Sequence, residues 1–261
     1  MEEKEKEREN NHSPFSGKEE KNSLLFKMKA GLSNIFRMIG YNLKIIFGNR
    51  FIYFLISAVV LFLFIIFINL LNGEVISENG VYNILVLTGA LLLFYPAAFG
   101  IQSDKDARTL EIIFGIPDYR YRVWFMRLLL IYAVTFIVLI VLSVALYFAL
   151  VHFPVLKMNL QVLFPLAFLG FFTFFLSTVL RSGNGTAAVI IILGVVLLIL
   201  SGNFSRSYWN IFFNPYGNPS DLSEMVWYSL EIKNRIFLGS GAIVFLLAGL
   251  MNLQKREKFL G

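Results

Sequence analysis

Residues 51–71 read FIYFLISAVVLFLFIIFINLL, 21 consecutive positions without a charge. With a rise of about 1.5 Å per residue, about 20 residues in a helix cross the ~30 Å hydrocarbon core of a bilayer. This run is therefore long enough to span a membrane, and it is apolar on all sides rather than along one stripe. Five further runs share the property: 81–101, 128–151, 159–180, 186–201 and 236–253. Pro96 is expected to bend the second. The run 186–201 is short and is expected to tilt or to borrow the small residues beside it. In lipid every backbone polar group has to be satisfied inside its own segment, and a helix does this. The expected fold is an all-α integral membrane protein with six transmembrane helices.

Composition agrees. Of 261 residues 57% are hydrophobic, 16% aromatic and only 15% charged, with a mean hydropathy of +0.69. A soluble chain of this size needs far more polar surface. There is no cysteine, which excludes disulfides and thiolate metal sites. The two histidines, His12 and His152, lie far apart and have no neighbours spaced as metal ligands. No cleavable leader is expected, because the first apolar run starts near residue 51, behind a charged tail.

Outside the spans the chain changes character twice before residue 51. Residues 1–23 mix seven acids with five bases and hold almost nothing to bury, which predicts a disordered cytoplasmic tail. In 24–50, Met28, Leu32, Ile35, Phe36, Ile39, Leu43, Ile46 and Phe47 recur at steps of one helical face. Five basic and no acidic residues accompany them, so an interfacial amphipathic helix on an anionic leaflet is expected there.

Lysine and arginine set the orientation. With the N-terminus inside, the inner flanks carry fourteen of them and the outer flanks four: Lys157, Arg206, Lys233 and Arg235. Both termini are then cytoplasmic, in a cell (inner) membrane, and the net charge of +6 is explained without nucleic acid. The long outer segment 202–235 holds Trp209, Phe212, Phe213, Tyr216, Trp227 and Tyr228. Such aromatics suit headgroup depth, so short helices dipping into the outer interface are expected.

No Asp, Glu, Lys, Arg or His falls within the six apolar runs. That counts against ion-coupled carriers and intramembrane hydrolases, which need such groups at depth. Asn69, Asn83, Thr88, Gln161, Thr173 and Ser177 are read as helix–helix packing residues. No phosphate-cradling G-x-x-x-x-G-K-[ST] loop occurs. Asp106-Ala107-Arg108 has a fragment of the phosphatidyl-alcohol transferase pattern, but the further carboxylates needed to hold divalent metal do not follow.

Charge is concentrated instead between Asp104 and Arg127, where nine charges occur in DKDARTLEIIFGIPDYRYRVWFMR. Nine charges in lipid would cost on the order of 20 kcal/mol, so this stretch leaves the membrane. Ser103 is expected to cap a coupling helix over 104–114, with Asp106 completing a capping-box pattern. Ala107, Leu110, Ile113 and Phe114 would share its apolar face, and Gly115 and Pro117 would end it. A helix and break of this kind form a cytoplasmic knob whose apolar edge fits a groove and whose charged rim fixes register.

The run Asp104-Lys105-Asp106-Ala107-Arg108-Thr109-Leu110-Glu111, followed by Pro117 and Arg120, resembles the cytoplasmic signature of ABC-2 type transporter permeases. The likeness extends over 24–258 through six spans, an N-terminal interfacial helix, cytoplasmic termini and an aromatic re-entrant region before the last span. Arg108 stands where that family commonly has glycine before Thr-Leu-Glu. The small size and aromatic, Lys/Asn-rich composition resemble the gliding-motility-associated members.

The resemblance implies a transporter half with no catalytic group or cofactor on this chain. ATP and Mg would be held by a separate cytoplasmic ABC-type ATPase, and a second permease chain, identical or paralogous, would complete the path. Asp104, Asp106, Arg108, Thr109, Leu110, Glu111, Pro117 and Arg120 would couple the chain to the ATPase. An uncharged interior favours lipid-like or hydrophobic cargo, exported or flipped. Two other readings stay open: a membrane scaffold for a cytoplasmic or envelope machine, and a lipid-modifying enzyme using Asp221, Glu224 and Glu231.

Overall fold

The computed structural model describes residues 48–71, 76–106, 120–204, 207–217 and 222–253, all within one compact unit, Ile46–Gly261. They form six long helices: α1 (Gly48–Leu71), α2 (Glu78–Asp106), α3 (Met126–Ala149), α4 (Val155–Leu180), α5 (Gly183–Asn203) and α6 (Glu224–Asn252). A single π-helical turn, Arg120–Phe125, leads into α3. All six helices are long and apolar enough to cross a membrane. No strand occurs among the described residues. The expected tail over 1–23, the interfacial helix up to residue 47, and residues 107–114 of the expected coupling helix lie outside the described residues.

The helix boundaries that differ most from the sequence reading are the end of α2 and the start of α6. Ser103 does not cap a new helix: α2 runs unbroken through it, and Asp104 and Asp106 form the last turn. No second proline stands between Pro96 and Asp106, Gly100 is accommodated within the helix, and Pro96 itself is buried inside the continuous helix. At the other end of the chain α6 starts at Glu224, where a run of apolar residues alone had placed the start at 236. Ser223 precedes it in an extended conformation and Glu224 supplies an acid in the first turn, a normal helix start. At about 1.5 Å per residue, 29 residues make this helix ~43 Å long, more than a hydrocarbon core needs.

Short links set the topology. Only Arg181 and Ser182 separate α4 from α5, which makes the two antiparallel neighbours. Arg181 takes the left-handed conformation (φ 54°) and its N–H donates to the Ser177 carbonyl at 3.0 Å, ending α4. Ser182 then caps α5, its Oγ accepting from the Gly185 N–H at 3.2 Å.

α2 and α4 occupy the centre. α3 and α5 pack on both, α1 packs mainly on α2, and α6 packs most extensively on α4. Small residues permit this last approach: a Cβ at Gly241 would lie 2.5 Å from the Phe168 ring, and one at Gly249 would lie 2.7 Å from Phe174. One apolar cluster joins Tyr82, Leu85, Leu139, Leu146, Met158, Val162 and Leu166 from α2, α3 and α4. A second, at the opposite end, joins Ile101, Trp124, Leu128, Phe174, Leu250 and Leu253.

The outward faces identify the solvent. On α1, Ile52, Ile56, Val60, Leu63 and Phe67 recur every three or four residues and are each more than half exposed. α5 presents Ile192, Val195 and Ile199 in the same way. Apolar surface in water costs about 25 cal/mol per Å², and continuous stripes of this length are foreign to soluble monomers. Lipid removes the cost. The chain is a multi-pass membrane protein.

Candidate functional site

The base of the charged stretch is the first site. α2 carries Asp104 in its last turn, and α3 carries Arg127 in its first. Of these two charges Asp104 is on the wrong end of its helix, where an acid at a C-terminus opposes the local dipole by about 0.3–1 kcal/mol. Pairing with each other overrides that penalty. Arg127 Nη1 donates to Asp104 Oδ2, and Nη2 donates to Oδ1 at 3.2 Å. The pair is buried, with Asp104 6% and Arg127 8% exposed. Trp124, from the π-helical turn, lies beneath the guanidinium, 5.1 Å from its carbon to the ring centre. The indole packs in turn on Phe174 of α4, ring centres 6.3 Å apart.

Of the eight residues expected to couple the chain to a partner, three have described positions. Asp104 faces Arg127 within the bundle, Asp106 is exposed in the final turn of α2, and Arg120 opens the π-helical turn. Arg108, Thr109, Leu110, Glu111 and Pro117 lie outside the described residues. What the structure adds is Arg127 and Trp124, which tie the two ends of the stretch together and to the bundle. Arg127 had been read only as the last charge of that stretch.

The second site is at the opposite end and was missed because α6 was started too late. Glu231, Asn234 and Arg235 are helical residues, not loop residues. Arg235 is 7% exposed and Asn234 fully buried. Arg235 donates from Nε to Gln161 Oε1 at 2.6 Å, from Nη1 to Asn234 Oδ1 at 3.1 Å and from Nη2 to Tyr82 Oη at 3.3 Å. Its guanidinium carbon is 5.5 Å from the centre of the Phe164 ring. Gln161, expected to serve packing, also donates from Nε2 to Glu231 Oε1 at 2.7 Å. The expectation of an uncharged interior is thus corrected at Asp104, Arg127 and Arg235, which lie just outside the six apolar runs yet are buried. A sequence signal existed: buried positions Trp227, Asn234, Leu238 and Ala242 keep one helical phase across the supposed boundary at 236.

Residues 207–217 fold as a series of turns over this end, without a helix among them. The segment is held by side chains that donate to its carbonyls. Asn234 Nδ2 reaches Tyr208 O at 2.9 Å and Asn210 O at 2.8 Å, and Trp227 Nε1 reaches Pro215 O at 2.8 Å. Tyr82 Oη reaches Phe213 O at 3.3 Å. Asn214 Nδ2 returns the tie to the start of α2, donating to Asn79 Oδ1 at 2.6 Å and Asn83 Oδ1 at 2.9 Å. Tyr216 Oη is buried and has no hydrogen-bond partner among the described residues. Burial pushes its hydroxyl up to about 12; Glu78, Glu231 and Tyr82 add to the shift and Arg235 opposes it.

Among the described residues no group of three or more His, Asp or Glu is placed to hold a metal ion. The ionisable side chains inside the bundle are engaged with each other and with neutral partners. They can hold helix ends together and transmit movement between them. No family model matches the chain, and no curated protein or solved structure matches it either.

Proposed function

We propose that this chain is the membrane-spanning permease subunit of an ATP-binding cassette transporter, moving a lipid-like or hydrophobic substrate by export or flipping. A separate cytoplasmic ATPase supplies the energy, and a second permease chain completes the path. The observation that supports this reading most is the stapling of the charged stretch at its base. Asp104 and Arg127 belong to different helices, so a push on the residues between them reaches α2 and α3 together. Trp124 passes it on to α4 through Phe174, and Leu250 and Leu253 of the same cluster extend it to the end of α6. A loop with independent ends would dissipate the same displacement locally. The excess of inner-flank lysine and arginine puts this end in the cytoplasm, where an ATPase could reach it.

Work is done by differential contacts in two states, as any such coupling requires. The test is turnover in proteoliposomes with the ATPase that co-purifies from native membranes. Leu110→Asp and Glu111→Arg should abolish association and the stimulated hydrolysis of ATP. Unchanged association and stimulation in both variants would remove the coupling role.

A further inference from the structure

We infer that Gln161 is the bridging member of a polar lock that keeps one end of the bundle shut by joining α2, α4 and α6 at a single buried arginine. Every acceptor that Arg235 uses is neutral: a glutamine, an asparagine and a tyrosine. Among the described residues no carboxylate stands within ion-pair distance of it. The compensating carboxylate, Glu231, lies one helical turn away on the same helix and is joined to Arg235 through the Gln161 amide, which accepts from the guanidinium and donates to the carboxylate.

A primary amide can do both at once, accepting at its oxygen and donating from its nitrogen. Leucine would take one of the guanidinium's three acceptors and the amide that joins it to the half-buried carboxylate, and glutamate would repel Glu231 while satisfying Arg235. Charge compensation at this end of α6 therefore depends on α4 being in place, and the Tyr82 hydroxyl adds α2 to the same arginine.

The chemistry favours two discrete arrangements. A guanidinium and a carboxylate are stable when dry and bridged, or when separated and hydrated, but not when dry and separated. An apolar seam has no comparable reason to open into water. The end of the bundle next to Arg235 is thus either closed with Gln161 seated between α4 and α6, or open and wet. The lock stands whether or not the transporter reading does; within that reading it is the point where the non-ATPase end opens.

The chain has no native cysteine, so single introduced cysteines report water access directly. Val162→Cys and Ala242→Cys place thiols on α4 and α6 just inside the lock, at positions now fully and almost fully buried. Ala98→Cys, fully buried towards the other end of α2, is the control for general unfolding. A membrane-impermeant maleimide is added to sealed vesicles from the Arg235 side.

With Gln161 intact, labelling at 162 and 242 should be negligible. In Gln161→Leu it should rise at least tenfold at both, with none at 98. The triple variant Gln161→Leu/Glu231→Leu/Arg235→Met, with no buried charge left, should return labelling to the starting level. Labelling within twofold of the parent in Gln161→Leu overturns the lock. So does labelling at 98 in that background, since the network would then merely hold the fold. A triple variant as reactive as the single one overturns it as well. No ATPase enters the measurement, so failure of the transporter reading leaves its outcome unaffected.

Discussion

Replacing Asp104 by leucine strands the Arg127 guanidinium in a site where it is 8% exposed. It loses two charge-assisted hydrogen bonds to the carboxylate and keeps only its stacking on Trp124. Breaking a buried pair from one side costs about 3–5 kcal/mol, mostly the penalty of the unpaired ion rather than the worth of the bond. The mirror variant, Arg127→Met, takes the same two hydrogen bonds from the carboxylate and should be destabilising as well. The double variant Asp104→Leu/Arg127→Met should regain most of the loss and lie within about 1 kcal/mol of the parent, since neither ion of the pair is left to desolvate. It also removes the Asp104 charge, which opposes the dipole at the end of its own helix, and this offsets part of any packing defect.

The cycle should thus show a coupling of at least about 2 kcal/mol. For a chain of this size 1 kcal/mol shifts the melting midpoint by roughly 2–4 °C, so Asp104→Leu should melt about 10 °C lower, and Arg127→Met should melt below the parent too. Tryptophan fluorescence in detergent is a suitable readout, because Trp124 is one of only three tryptophans and touches the pair. Single variants melting within about 1 °C of the parent would refute the reasoning. So would a double variant that loses the sum of the two.

Three further outcomes follow from side-chain geometry. A Cβ at Gly170 would overlap the Tyr132 hydroxyl, which donates to the Leu166 and Ala167 carbonyls; Gly170→Ala should lower stability by about 1–3 kcal/mol, and adding Tyr132→Phe should recover part of it in the same melting assay. On α6, Gly239 faces open space whereas Gly241 faces Phe168, so Gly239→Ala should be neutral and Gly241→Ala destabilising, and equal midpoints would contradict the α4–α6 packing. Tyr216→Phe removes a buried hydroxyl without a partner among the described residues and should be neutral or stabilising by about 1 kcal/mol. The folded-state value for that hydroxyl, raised from the ordinary 10.0 to about 12, means the parent keeps the hydroxyl's contribution below pH 10 and loses it as pH rises towards 12. Tyr216→Phe should flatten the fall in stability across that window, and an unchanged alkaline profile would argue against burial of the hydroxyl.

Periodicity and transfer energy reach far into this protein because lipid imposes a simple rule: a helix of about 20 residues must lack charges wherever it meets hydrocarbon. That rule finds six helices, and six are present among the described residues. It fails at their ends. Asp104 was assigned to a new helix because charges were taken to mark exit from the membrane, yet α2 continues and the charge is paired within the bundle. Arg235 was assigned to a loop for the same reason. In both cases the transfer cost that the sequence reading assumed was cancelled by a partner distant in the chain, Arg127 in one and Gln161 in the other.

The class of the protein and the number and approximate position of its helices followed from the chain alone, since each helix answers to the solvent around it residue by residue. Which side chains face one another was decided only in three dimensions. The antiparallel turn at Arg181, the glycines that admit Phe168 and Phe174, and the unbroken start of α6 brought Gln161 to Arg235 across 74 residues. Asp104 meets Arg127 across 23. A charge can enter the bundle only with its partner, and the partner is a property of packing rather than of local sequence.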